Sequence, residues 1–253
     1  MPRTAREKSS TGIYHVVLRG INKQIIFHDE QDYKKYLKTL LTFKKISEYK
    51  IFAYCLMSNH IHLLIKEGSE EIGIVFRRIG ASFVSWYNWK YNRSGHLFQD
   101  RYRSETVEND KYFLTVLRYI HQNPVKAGIT DQIHLYPWSS YKEYTNKPLI
   151  CDTGFALKIF GEEPVKALLR WEEFNRQHNN DHCLEYNDGL RLNDQEAVNI
   201  VKTLFSVKNP AEIKGFGKFE KERAIKKLKA KGLSIRQIER LTGISFAVIR
   251  NIK

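Results

Sequence analysis

The sequence predicts an α+β fold, in which an antiparallel sheet is flanked by helices and followed by a small helical unit. Runs rich in β-branched and aromatic residues alternate with longer stretches of helical apolar periodicity. In chain order they read strand, helix, two strands, helix and strand, which is the order of a ferredoxin-like sheet. Past Pro148 the pattern becomes helical, so the helical unit is expected to follow the sheet.

The predicted strands are short and lie within the first 106 residues. The first ends at Gly20, and the second and third are joined by Ser58-Asn59, a connection short enough for a hairpin. The predicted ranges are 13–19, 51–57, 60–66, 96–99 and 102–106.

Three predicted helices accompany these strands. Asp29 is a candidate N-cap for a helix to about residue 48, and a long helix covers about 69–91. Asn109 is a candidate N-cap for a third helix to about residue 122. Pro124 should end it, because the residue before a proline avoids helical geometry.

The charge of the chain is unevenly distributed. The 253 residues carry a net charge of +14. Residues 1–150 hold 23 Lys and Arg against 14 Asp and Glu, 151–200 hold 5 against 10, and 201–253 hold 14 against 4. Two basic regions separated by an acidic one favour a polyanionic partner such as nucleic acid, although ordinary solubility charge is the alternative.

Other features exclude several classes of protein. No apolar stretch approaches the roughly 20 residues of a membrane-spanning helix, so no membrane partner is expected. The basic first ten residues lead into no apolar segment and do not read as a secretory signal. Three widely spaced cysteines argue against a disulfide framework and favour a reducing cytosol.

We therefore expect three regions, with borders at residues 148 and 214. Residues 1–148 hold the sheet, 149–214 form an acidic helical connection, and 215–253 form a basic helical unit. Ser234 and Gln237 have the spacing of a capping box, and Thr242-Gly243 supplies a short turn between helices. This pattern is typical of a helix-turn-helix that binds duplex DNA; docking on the protein's own core is the alternative.

His60 and His62 are the first candidate site residues. Side chains of a strand alternate between its faces, so both imidazoles share one face about 7 Å apart and can converge on a metal ion. Two buried histidines satisfied by local hydrogen bonds are the alternative reading. Ser58 and Asn59 lie close enough in sequence to support a metal site by hydrogen bonding.

This His-hydrophobic-His pattern resembles the HUH motif of single-tyrosine transposases, and the chain is most similar to their REP-associated branch. Four ordered motifs carry the resemblance, which covers roughly residues 10–145. They are Tyr14-His-Val-Val-Leu-Arg-Gly20, Tyr54-Cys-Leu-Met-Ser-Asn-His-Ile-His-Leu-Leu64, Gly95-His-Leu-Phe-Gln-Asp-Arg-Tyr102 and Arg118-Tyr-Ile-His-Gln-Asn-Pro-Val125.

The resemblance implies an HUH nuclease fold and an enzyme that cleaves and rejoins single-stranded DNA at hairpins. Tyr119 would be the nucleophile, giving a 5′-phosphotyrosine and a free 3′-hydroxyl. His60, His62 and Asn123 would hold Mg²⁺ or Mn²⁺, with Asn123 in the position where the wider family has glutamine. The residues alone favour other readings, in which Tyr119 is a core aromatic and Asn123 caps a helix end before Pro124.

The expected partner is hairpin-forming single-stranded DNA of the bacterial cytoplasm, with duplex DNA at the C-terminal unit and the protein a monomer or homodimer. Arginines and lysines are the candidate phosphate contacts, and the aromatic side chains between residues 93 and 103 are candidates for stacking on bases. The candidate cations are Arg19, Lys23, Arg77, Arg78, Arg93, Arg101, Arg103, Arg236 and Arg250. Two other readings remain open: a non-catalytic DNA-hairpin-binding regulator, and a metal hydrolase that uses water in place of Tyr119.

Overall fold

The computed structural model of the chain describes residues 6–185 and 194–252, with side chains of the second range from Ala197 onward. These residues divide into two compact units, Met1–Tyr186 and Asn187–Lys253. The division falls between residues 186 and 187, whereas the borders that we predict from the sequence between its three regions lie at residues 148 and 214.

Within residues 6–185, a four-stranded antiparallel sheet forms the centre of the first unit. Its strands are β1 (Ile13–Arg19), β2 (Lys50–Leu56), β3 (His60–Lys66) and β4 (Arg103–Thr106), in the order β2-β3-β1-β4. Helix α1 (Glu30–Ser47) follows β1, and helix α2 (Ile72–Lys90) follows β3. This is the predicted ferredoxin-like α+β arrangement.

Helices α1 and α2 cover one face of the sheet. Aromatic side chains are part of this half of the core: Tyr36 and Phe83 are fully buried and meet edge to face, with ring centroids 5.1 Å apart. Asp29 caps α1 as predicted, accepting hydrogen bonds from the backbone of Gln31 and Asp32. Leu18 of β1 packs in the same cluster, which shows that this residue points to the α1–α2 face.

Helix α3 (Asp110–Lys126) covers the opposite face. Its apolar stripe, including Phe113 and Leu117, packs on Phe52 and Leu64 of the sheet. Helices α4 (Tyr141–Thr145), α5 (Thr153–Phe160) and α6 (Pro164–Arg176) follow in the chain. Trp171 of α6 is completely buried and stacks on Tyr144 with ring centroids 4.5 Å apart, so this helix is part of the same packed unit.

Two local predictions were wrong. Pro124 lies inside α3, because Ala127 N–H still donates to the Asn123 carbonyl at 2.9 Å and carries the helix past the proline. Residues 96–99 form no strand and make an isolated bridge, Gly20 to Phe98. The chain turns into a 3₁₀ segment at Ile21–Lys23 directly after this bridge, which leaves no extended partner for further pairing.

The second unit is helical through the described residues 194–252. Its helices are α7 (Asp194–Phe205), α8 (Lys218–Ala230), α9 (Ile235–Thr242) and α10 (Phe246–Asn251). Ala197 and Val201 of α7 share one apolar cluster with Ile225, Ile238 and Ile249. The predicted capping box is present: Gln237 N–H donates to Ser234 Oγ at 3.2 Å, and Ser234 N–H donates to Gln237 Oε1 at 3.1 Å.

No helix among residues 6–185 and 194–252 has the length and apolar character that a membrane crossing requires.

Candidate active site between the sheet and helix α3

The two candidate histidines lie on the face of β3 that is covered by α3. His62 is buried and His60 is partly exposed, and their ring centroids are 5.0 Å apart at nearly perpendicular planes. In the antiparallel register, His62 lies opposite Val17 of β1 and His60 lies opposite Arg19. The alternation of strand side chains therefore brings both imidazoles and Arg19 to the same place.

Helix α3 supplies the other two predicted residues. Tyr119 and Asn123 are one helical turn apart, so they project from the same side of the helix. The Tyr119 ring centroid lies 5.7 Å from that of His62, and Asn123 Nδ2 lies 3.4 Å from His62 Nε2. The structure thus brings together the four residues that the sequence analysis selected.

These four side chains line a cavity of about 290 Å³. Besides these four residues, the lining includes two cations, Arg19 and Lys126, and one carboxylate, Glu185. Its further lining residues are Val17, Arg19, Lys126, Ala127 and Glu185.

His15 supports this site, although the sequence analysis did not select it. It is fully buried on β1, and its Nε2 lies 3.1 Å from Nδ1 of His62, with ring centroids 5.4 Å apart. This contact occupies the His62 nitrogen that faces away from Asn123, which leaves Nε2 as the nitrogen directed into the cavity. His15 does occur in the first motif of the resemblance, but its proximity to His62 depends on the pairing of β1 with β3.

Burial keeps the histidines of this site uncharged. It lowers the pKa of His15 to about 3 and that of His60 to about 4, and it lowers the pKa of His62 well below the usual value. A neutral imidazole offers a lone pair to a cation, whereas a protonated one does not. His60 and His62 are therefore in the protonation state that metal binding needs at neutral pH.

The side chains of this site offer a limited set of donors to a divalent cation. No group of three His, Cys, Asp or Glu side chains suited to a metal occurs in the part of the chain that the structure describes. His60, His62 and the Asn123 amide oxygen provide a smaller, neutral set, to which phosphate oxygens and water can add. That set fits a cation held jointly by protein and DNA.

Tyr119 is hydrogen-bonded to a carboxylate. Its hydroxyl donates to Glu185 Oε1, and the Lys126 ammonium lies 5.1 Å from the centre of its ring. Burial, together with this hydrogen bond and the negative charge of Glu185, raises the pKa of Tyr119 above the ordinary value. Glu185 lies 66 residues from Tyr119 in an acidic stretch without a motif, and no sequence signal identified it.

Residues 177–185, which we call the covering segment, are attached to the outer surface of α3. Arg118 Nε donates to Asp181 Oδ2 at 2.8 Å, and both side chains are largely buried. Gln122 Nε2 donates to the Gln177 carbonyl at 3.0 Å. These bonds hold the segment where its last described residue, Glu185, reaches Tyr119.

A further histidine of α3, His121, is a core residue. It is fully buried, with Nδ1 3.0 Å from Asn175 Oδ1 and Nε2 2.9 Å from Ser140 Oγ. Both ring nitrogens have partners outside the cavity, so His121 takes no part in the site.

Comparison with known proteins shows similarity to one transposase family over part of the chain. The model of the IS200-like transposase family matches residues 8–123, which are less than half of the chain. This stretch contains the four strands of the described sheet, the predicted nucleophile and the three predicted metal ligands. This part of the chain is similar to the IS200-like transposases, and for that similarity we call the first compact unit, Met1–Tyr186, which contains it, the transposase domain.

Two curated relatives belong to the REP-associated branch. The REP-associated tyrosine transposase of Escherichia coli K12 is 24% identical over 136 residues, which are 53% of this chain and 78% of the relative. The putative REP-associated tyrosine transposase of Haemophilus influenzae Rd is 28% identical over 105 residues, covering 37% of this chain and 59% of the relative.

The fold of the transposase domain is also found in a solved structure. A REP-associated tyrosine transposase bound to a REP hairpin aligns with a TM-score of 0.51 and 19% identity. The alignment covers 58% of this chain and 87% of that protein, and it supports the fold.

The predicted DNA-binding cations of the transposase domain lie in different surroundings. Arg19 lines the cavity that contains His60, His62, Tyr119 and Asn123, and Arg77 and Arg101 line a second cavity. Arg78 is paired with Glu70 at 2.5 Å, and Arg93 donates to the His96 carbonyl at 3.0 Å, so both also have structural partners.

The remaining candidate cations are exposed. Lys23 follows β1 in the 3₁₀ segment, and Arg103 begins β4. Arg236 and Arg250 lie on α9 and α10 of the second unit.

Proposed function

We propose that this protein is a divalent-metal-dependent transposase-type endonuclease and strand transferase that cleaves and rejoins single-stranded DNA at hairpins. The observation that supports this function is the convergence of Tyr119, His60, His62 and Asn123 on one cavity. A family fold supplies no chemistry by itself, and it is these side chains that provide a nucleophile beside a cation-binding set.

Tyr119 is the proposed nucleophile. Its phenolic oxygen attacks the scissile phosphorus, the bond between phosphorus and the 3′ oxygen breaks, and a 5′-phosphotyrosine forms. The electron pair leaves with the 3′ oxygen, which takes up a proton, while the phenolic proton passes to water. Because the covalent bond stores the energy of the original phosphodiester, a 3′-hydroxyl of another strand can reverse the step and become joined.

His60, His62 and Asn123 would hold Mg²⁺ or Mn²⁺ at this site. A cation held by these residues would supply Lewis-acid stabilisation to the phosphate, which would allow a weakly ionised phenol to attack. His62 is oriented by its contact with His15, and Arg19 adds a fixed positive charge to the lining of the cavity. These residues bind and align the phosphate before Tyr119 attacks it.

The proposed substrate is bacterial DNA that folds into an imperfect hairpin with a single-stranded flank. The solved relative of similar fold is bound to a REP hairpin, and the transposase domain carries cations on both sides of its sheet. The second unit, with 15 Lys and Arg against 7 Asp and Glu over residues 187–253, is proposed to bind duplex DNA.

Trapping the covalent adduct tests this function. Hairpins with a randomised single-stranded flank are incubated with the protein and Mn²⁺, then separated under denaturing conditions. A label at the 3′ end should migrate with the protein and a label at the 5′ end should not, because a 5′-phosphotyrosine retains the downstream piece.

Two other results would point to the alternative functions. Cleavage without any adduct on either label indicates a metal hydrolase that uses water. Hairpin binding without cleavage indicates a non-catalytic regulator.

A further inference from the structure

A second cavity, of about 710 Å³, lies between α2 and the segment 96–102. Leu18 lines it, whereas its neighbours Val17 and Arg19 line the catalytic cavity. Successive residues of a strand point to opposite faces, so the two cavities lie on opposite sides of β1. The second cavity has no part in the catalytic arrangement described above.

The lining of this cavity combines aromatic surface with positive charge. Phe76 and Tyr102 form one wall, with ring centroids 4.8 Å apart, and the partly exposed Phe98 and exposed His96 add further ring surface. The charged lining residues are three arginines and one aspartate, namely Arg6, Arg77, Arg101 and Asp100.

Arg6 and Asp100 have contacts within the protein. The Arg6 guanidinium lies 3.8 Å above the Tyr102 ring and donates to the Tyr102 carbonyl at 2.7 Å. Asp100 Oδ1 accepts a hydrogen bond from the Arg101 backbone at 2.8 Å. Arg77 and Arg101 expose their side chains at the rim and keep the cavity positively charged.

Small residues of α2 keep the cavity open. Gly73, Gly80 and Ala81 line it on the helix side. A Cβ atom added at Gly80 would meet nothing within 4 Å, so the space above this residue is empty. Glycine inside a helix is destabilising relative to alanine, and a cavity of this volume is of the order that small-molecule sites use.

We propose that this cavity binds an unpaired nucleotide of the DNA substrate, with its base against the aromatic lining and its phosphate at Arg77 and Arg101. Aromatic walls suit a base because every base has a π-face, and a basic rim suits the phosphate that accompanies it. This inference rests on the proposed function and extends it to a nucleotide site on the opposite face of the sheet.

The segment before β4 connects the two sites. Arg103 pairs with Val17 and shares the catalytic face, whereas the preceding Tyr102 lines the second cavity. A single strand of DNA that passes over residues 102–103 could therefore contact Arg103 through a phosphate on one face of the sheet and place a base in the second cavity on the other face. Duplex DNA offers no extruded base for such a pocket.

Filling the cavity tests the proposal. Gly80→Leu places a side chain in the empty space, and Gly154→Leu is the matched control, because Gly154 is also helical with no atom within 4 Å of its Cβ position. Two fluorescein-labelled probes are used, a random-sequence hexamer pool and a hexamer of abasic sites with the same phosphates. Affinity is measured by fluorescence anisotropy.

The wild-type protein should prefer the hexamer pool over the abasic hexamer by about ten-fold, a ratio within the range of base stacking on aromatic side chains. Gly80→Leu should reduce this preference to less than about three-fold, and Gly154→Leu should leave it unchanged. Equal binding of both probes by the wild-type protein, or an undiminished preference in Gly80→Leu, would overturn the proposal.

The adduct assay separates this inference from the proposed function. If the wild-type protein forms the adduct but binds both hexamers equally, the proposed function stands and the nucleotide site is rejected. A base preference that Gly80→Leu removes, without an adduct in the wild-type protein, supports the site and rejects the function.

Discussion

His15 Nε2 lies 3.1 Å from His62 Nδ1 across neighbouring strands, and this contact orients the buried imidazole that faces the catalytic cavity. If His62 binds a cation through Nε2, its Nδ1 carries the proton and donates to His15. Hydrogen bonds of this kind fix the tautomer and ring orientation of metal-binding histidines. His15 therefore belongs to the site without lining the cavity.

Replacing His15 should weaken metal binding. His15→Phe keeps an aromatic ring at this position but removes the nitrogen that accepts the hydrogen bond from His62. Loss of such a partner typically costs about 10–100-fold in metal affinity. Titration calorimetry with Mn²⁺ in the presence of hairpin DNA measures this change. His134→Gln, at an exposed histidine, is the control. Unchanged affinity in a folded His15→Phe protein would show that His62 needs no orienting partner.

Removing either proposed imidazole ligand should abolish metal-dependent cleavage. His60→Ala and His62→Ala each delete one of the two nitrogen donors on the shared strand face. Both variants should lose Mn²⁺ affinity in calorimetry and adduct formation in the denaturing gel. Retained metal affinity in both variants would place the cation elsewhere.

Tyr119→Phe should abolish adduct formation while hairpin binding remains nearly unchanged. The substitution removes the attacking oxygen and little else, although it also removes the hydrogen bond to Glu185. Tyr112→Phe, on the same helix, is the matched control and should still form the adduct. An adduct formed normally by Tyr119→Phe would transfer the nucleophilic role to another residue.

Glu185→Gln should accelerate adduct formation. Beyond the effect of burial, the Glu185 carboxylate raises the pKa of Tyr119, so a neutral amide should lower that pKa. Each unit of decrease gives about ten-fold more phenolate at a given pH below the pKa. Single-turnover rates between pH 7 and 9 should rise with pH in both proteins, and should be higher in Glu185→Gln.

Glu173→Gln provides the comparison for Glu185, because Glu173 is exposed on α6. It should leave the rate unchanged. A slower reaction in Glu185→Gln would instead indicate that this carboxylate accepts the phenolic proton during attack.

Removing the second unit should weaken DNA binding without abolishing the chemistry. A deletion at the predicted border, of residues 215–253, would cut through this unit, because Ala197, Val201 and Ile213 share a core with residues of α8–α10. A deletion that starts at residue 187 therefore removes the unit as a whole. The shortened protein should show a flatter salt dependence of hairpin binding, because fewer phosphate contacts release fewer counterions.

The same shortened protein should still form the Tyr119 adduct at saturating hairpin and Mn²⁺. Circular dichroism provides the check that the transposase domain is folded. A folded protein that forms no adduct under these conditions would make the second unit part of the active site.

The sequence was sufficient to predict which site residues lie side by side, where their proximity depends on the local periodicity of a strand or helix. His60 and His62 share a strand face by two-residue alternation, and Tyr119 and Asn123 share a helix side by four-residue spacing. His15 and Glu185 depend on strand register and on the path of the covering segment, which no local pattern encodes. Pro124 shows the related limit: the rule against helix before proline is a local preference, and the packing of α3 overrides it.

The position of β1 between two cavities has an evolutionary consequence. His15, Val17 and Arg19 face the catalytic side, whereas Leu18 faces the other cavity. Inserting or deleting one residue in this strand would exchange its two faces and disrupt both cavities at once. Homologous genes should therefore show no change of length within residues 13–19, and length variation should collect in loops such as 92–95, where selection tolerates it.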